Sequence, residues 1–118
     1  MDSLKLSQFA AEAAKEKKAS RVVVLDLRNS SDICEFQMIC SGDNDRQTRA
    51  IAQAIEDHCL KQTGIRPIAI EGKQSGHWIL LDYGALTVHV FFSYIRDYYA
   101  LEEIWPNAKK VALEATEE

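Results

Sequence analysis

Residues 77–92, HWILLDYGALTVHVFF, constrain the fold more than any other segment of this chain. On both sides of Gly84-Ala85 the side chains alternate with the period of a half-buried strand, and the small pair between them suits a tight turn. A two-residue loop pairs Tyr83 with Leu86, Leu81 with Val88 and Ile79 with Val90; a four-residue loop moves the pairing by two and preserves the same faces. Ile79, Leu81, Tyr83, Leu86, Val88 and Val90 then share one face, suited to packing under helices. Trp78, Leu80, Asp82, Thr87, His89 and Phe91 share the other. Such a hairpin is too tight for a crossover, so a sheet that contains it is not wholly parallel.

The flanking segments supply the rest of a layered domain. Leu4, Leu6, Phe9, Ala10, Ala13 and Ala14 predict an amphipathic helix over 3–19, with Asp2 or Ser3 as its cap and Lys15, Lys17 and Lys18 in its last turn. Residues 21–27, RVVVLDL, read as a buried strand, 29–32 as a turn, and 36–40 as a second strand. Ser41 to Asp45 breaks that strand and offers a cap for a helix running to Gln62, with Ile51, Ile55 and Cys59 on its apolar side and Gly64 at its stop. Residues 67–70 read as a third strand opened by Pro67. Beyond Ser93 a helix is expected to reach Trp105, with Tyr94, Tyr98, Leu101 and Trp105 near one stripe, Trp105 in the core and Pro106 as its end. This order predicts one α/β domain over residues 1–118, a mixed sheet of about five strands packed with helices.

Composition narrows the setting. No apolar run approaches the ~20 residues of a membrane helix, and the N-terminus lacks a signal-peptide core, so a soluble cytoplasmic protein is expected. Cys34, Cys40 and Cys59 form no CxxC pair and no metal-ligand spacing, and read as buried or half-buried thiols with no metal. The formal charge of −4 is unevenly placed: residues 1–70 balance ten Lys/Arg against ten Asp/Glu, whereas residues 71–118 carry four against eight. Free DNA or RNA is met by a basic patch. An acidic half rich in aromatic residues suits a basic protein partner instead.

Residues 71–105 hold both tryptophans, all four tyrosines and two of the three histidines, which points to a recognition surface. The chemistry they offer is incomplete. Ser41-Gly42 before a helix, with Asp82 on another strand, has parts of a Mg²⁺-dependent nucleotidyltransferase site, but the second carboxylate of a two-metal clamp is missing. His77, His89 and Asp82 have no nucleophile in an elbow context, and His89 reads as a strand residue bonded to Asp82 or to backbone. Gly72 and Gly76 bracket a polar loop that lacks the phosphate-loop pattern.

The segment from Val22 to Lys109 closely resembles the Iojap-related ribosomal silencing factor family. The resemblance rests on Ser41, Gly42, Arg46, Gln47, Arg49 and Ala50, on Glu71-Gly72, on Trp78 to Gly84, on Val88 to Phe91, and on Arg96 to Trp105. Gln74-Ser75 and Phe92-Ser93 stand at variable positions, and the acidic tail 110–118 lies beyond the match. The resemblance implies a nucleotidyltransferase-like fold without the catalytic acids, no enzyme activity, no cofactor, and frequent homodimers. It also implies binding to a basic protein at the interface face of the large ribosomal subunit, the uL-class protein numbered fourteen. Such binding blocks joining of the small subunit when nutrients are short. Trp78, Leu80, Asp82, His89 and Phe91 are the expected docking residues, with Glu71, Tyr98, Tyr99 and Glu102 at the rim. A large-subunit assembly factor and a Ser41/Asp82 metal-dependent enzyme are the alternatives.

Overall fold

A computed structural model describes residues 2–29, 34–106 and 108–113, with Tyr98 and Tyr99 described by their backbone alone. Helix α1 (Ser3–Glu16) starts where the Asp2 carboxylate accepts the Lys5 N–H at 3.2 Å. It ends three residues earlier than its apolar spacing suggests, because Lys18 turns into the left-handed region (φ 65°) and redirects the chain into β1 (Ser20–Asp26). Strand β2 (Phe36–Gly42) is buried along its whole length and leads into α2 (Asp45–Thr63). Asn44 caps α2, and left-handed Gly64 closes it with an N–H to the Leu60 carbonyl at 2.8 Å. Then follow β3 (Ala69–Glu71), β4 (Trp78–Asp82), β5 (Leu86–Phe92), α3 (Ser93–Tyr99), a 3₁₀ turn (Leu101–Ile104) and β6 (Lys109–Lys110).

The described strands form one mixed sheet in the order β3-β4-β5-β2-β1-β6. Only β2 and β5 run parallel in it; the other neighbours are antiparallel. The hairpin takes the two-residue loop: Tyr83 N–H donates to the Leu86 carbonyl, and Leu81 stands opposite Val88 and Ile79 opposite Val90. Gly84 adopts φ 87°, which a side chain would resist. The edge pairing of Lys109 and Lys110 with Asp26 and Leu25 adds a strand that no apolar alternation announces.

The two faces of the sheet differ. One lies under α1 and α2, where Leu6, Ala10, Ile51, Ile55 and Cys59 meet Phe36, Met38, Ile79, Leu81, Val88 and Val90, all essentially buried. The other gathers Leu25, Leu27, Cys34, Ile39 and Phe91, covered by Ile95, Leu101, Trp105 and Ala108. Trp105 therefore packs on the face away from α1 and α2. The expected helix to Trp105 is broken at Ala100, whose φ of 47° ends α3 and folds the 3₁₀ turn back over the sheet. Among the described residues, no helix is long and apolar enough to cross a membrane. The tail residues 114–118 and most of the 29–32 turn lie outside the described residues.

Candidate docking surface

Trp78, Leu80 and Asp82 project from β4 on the face away from α1 and α2, and Thr87, His89 and Phe91 stand beside them on β5. Glu71 of β3 sits opposite Leu80 and is exposed. What precedes Trp78 is firmly held. A Cβ on Gly72 would come within 2.0 Å of the Trp78 carbonyl, so only glycine admits this approach. The Thr48 hydroxyl donates to the Gly76 carbonyl at 2.6 Å, and Arg49 Nη1 donates to the Gln74 carbonyl at 3.2 Å, tying the 72–77 loop to α2.

Not every expected docking residue reaches solvent. Trp78, Leu80 and Asp82 are half-buried, but Phe91 is fully buried and His89 is 7% exposed. Phe91 is closed off because residues 95–105 fold over its end of the sheet, where Trp78 also stacks on it, ring centroids 4.9 Å apart at 32°. Phe91 and His89 thus form a floor for the surface, and the reachable patch is Trp78, Leu80 and Asp82 beside Glu71.

Histidine 89 does not pair with Asp82. Its Nδ1 accepts the Trp78 indole N–H at 3.0 Å, while the Asp82 carboxylate accepts the Gly84 N–H at 2.8 Å and braces the hairpin turn. Burial pushes the His89 pKa down to about 4, so the ring is neutral near pH 7. With Nδ1 accepting, the proton of the neutral ring sits on Nε2, a buried atom with no hydrogen-bond partner. An orphaned buried donor of this kind costs on the order of 1–3 kcal/mol.

The rim is also rearranged. Glu102 is half-buried and turned inward, accepting from Arg96 Nη2 at 2.8 Å and from Nε at 3.3 Å. That hydrogen-bonded guanidinium holds the Glu102 carboxyl below the usual carboxylate range, so its charge faces Arg96 and not an approaching partner. Arg96 itself, 1% exposed, also donates to the Arg21 carbonyl at 2.6 Å and the Ser41 hydroxyl at 2.9 Å. It is the clamp that holds the C-terminal segment to the sheet. A helical reading misses it, because residues six apart on a helix point to different sides; the joint occurrence of Arg96 and Glu102 in the family pattern is the available signal. The Tyr98 and Tyr99 side chains lie outside the described residues.

The parts of a reaction centre are not brought together. Ser41 lies in register with Phe91 and Trp78 at one end of the sheet, and Asp82 in register with Thr87 at the other, a separation of about 13 Å along the strands. His77 is exposed against the Phe92 ring, 5.8 Å between centroids. The three cysteines are free and buried, and burial raises the Cys40 thiol to about 12 and that of Cys59 to about 11. Among the described residues, no cluster of three or more His, Cys, Asp or Glu offers a metal site.

The family model described as "Ribosomal silencing factor during starvation" matches residues 1–118. The chain is 39% identical over 114 residues to the ribosomal silencing factor RsfS of Halalkalibacterium halodurans, covering 97% of both chains. It is 35% identical over 108 residues to the protein of that name from Bacillus subtilis, covering 92% of this chain and 91% of that one. The fold is similar to the crystal structure of a Chromobacterium violaceum protein, with a TM-score of 0.85 and 30% identity over 98% of this chain and 95% of that one.

Proposed function

This chain belongs to the ribosomal silencing factor family, and on that premise we propose that it represses translation by seating the Trp78–Leu80–Asp82 patch on the large ribosomal subunit. The occupant of the patch is the basic uL-class protein numbered fourteen, at the interface face, and the bound chain stands where the small subunit must join. The observation that carries this is the half-exposed Trp78 on a floor of Phe91 and His89, with Leu80 beside it and the Asp82 and Glu71 carboxylates at the margin. A rigid aromatic anchor with an acidic margin is the form of a hot spot for a basic protein: the ring supplies buried area at low entropy cost, and the acids steer the encounter. The separation of Ser41 from Asp82 supports a binding role without catalysis. The protein acts in the cytoplasm, where subunits meet, and forms a homodimer.

Two measurements test this. Adding the protein to purified subunits should lower 70S formation in proportion to occupancy of the large subunit. Binding without any loss of 70S formation would favour an assembly factor. Trp78→Ala combined with Asp82→Arg should weaken large-subunit co-sedimentation by about 30-fold or more, the loss of one hot spot of about 2 kcal/mol. Unchanged co-sedimentation of that folded variant would place the docking face elsewhere.

A further inference from the structure

We propose that His89 is a positioning residue of the docking surface: its Nδ1 captures the Trp78 indole N–H and sets the orientation of the ring before a partner arrives. The proposal rests on Trp78 being the anchor of that surface. The Phe91 ring lies against the indole with centroids 4.9 Å apart, the His89 ring stands at its N–H edge with centroids 5.9 Å apart and a 41° tilt, and the His89 and Phe91 rings are nearly parallel at 9°. Stacking on such a floor is apolar and tolerates sliding and rotation of the indole in its own plane. A hydrogen bond does not, because N–H···N strength falls steeply with angle. The 3.0 Å bond therefore decides which edge of Trp78 faces the sheet and which remains for a partner.

The rest of the imidazole explains why this position holds a histidine. It stands between Leu80 on β4 and Ile39 on β2, a site where an apolar ring would pack without burying a polar atom of its own. Histidine strands Nε2, which is buried and unpartnered. Packing alone therefore favours another residue, and the feature that histidine adds is the Nδ1 lone pair used by Trp78. Holding the ring in one orientation removes ordering that docking would otherwise have to impose.

The tautomer can be read without any substitution. In ¹⁵N spectra of the wild-type chain at pH 7, His89 should show an unprotonated Nδ1 and a protonated Nε2; the opposite tautomer overturns the proposal. The Trp78 indole N–H, identified with Trp105→Phe, should resonate as a hydrogen-bonded group and exchange slowly with solvent. His89→Phe keeps a ring and removes the acceptor. It should accelerate that exchange at least about tenfold and weaken large-subunit binding by about tenfold, whereas His89→Asn, whose amide oxygen can stand near the Nδ1 position, should restore part of both. Unchanged indole exchange in a folded His89→Phe chain overturns the positioning role, as does altered exchange with unaltered binding. If the wild-type chain fails to bind the large subunit, the functional proposal falls, while tautomer and indole exchange still decide whether His89 orients Trp78.

Discussion

Leu80 and Leu81 are chain neighbours on one strand, yet they belong to two different surfaces. Leu81 is fully buried under the helices, among residues drawn from α1, α2 and four strands. Leu80 is half-exposed on the opposite face, near His89 and Glu71. The helix-covered face is sealed by two long amphipathic helices and needs only apolar volume to be filled. The other is covered at one end only, by a short segment that Arg96 clamps in place, and its open end carries Trp78, Leu80 and Asp82. One sheet thus has two unlike sides: one is sealed under helices, and the other is covered at one end only. Phe91 marks the boundary, since it lies on the second face but is as buried as anything on the first.

That boundary is the first thing to break. Phe91→Ala should cost about 4 kcal/mol in denaturant unfolding, as for a core aromatic; a cost below about 1 kcal/mol would mean that residues 95–105 do not cover it. Next comes the leucine pair. Leu81→Ala should lose about 3 kcal/mol of stability, whereas Leu80→Ala should lose under about 1 kcal/mol and instead weaken large-subunit binding. Equal destabilisation by the two would erase the distinction between the faces.

Acid should act through His89. Its folded pKa of about 4 lies below the ordinary 6.5, so the unfolded chain takes up the proton first and stability declines as pH falls through that interval. The loss should approach about 2 kcal/mol by pH 5, and His89→Phe should flatten that part of the profile. A wild-type profile level between pH 6.5 and 5 would show that His89 is more accessible than its position suggests. Smallest is Ala100→Gly. Alanine at φ 47° is strained, so glycine should be neutral or stabilise by up to about 1 kcal/mol in the same unfolding assay. A clear loss would mean that the 3₁₀ turn depends on the methyl group.

Much of this was legible residue by residue. The hairpin at Gly84-Ala85, its two faces, α2 to within a residue of its end and the stop at Gly64 follow from short-range spacing, whereas the choice of the two-residue loop over the four-residue one came from the structure. The break at Ala100 had no such signal, because alanine is a good helix former and nothing at that position announces a left-handed turn. Strand β6 had none either: two lysines at a sheet edge show no alternation. The candidate surface was half legible. Which side chains share the second face was readable from period two; which of them stay reachable was not.

The sequence by itself determined the alternation of β4 and β5, the amphipathic faces of α1 and α2, the acidic and aromatic bias of the second half and the membership of the family. These are local or compositional properties, set by bonds and spacings within a few residues. Only the tertiary structure decided that Phe91 is buried, that Glu102 turns inward to Arg96, that His89 holds Trp78 instead of Asp82, and that Ser41 and Asp82 stand apart. Each depends on how residues far apart in the chain, or set on different strands, compete for the same space and the same hydrogen bonds, and no local pattern encodes that outcome.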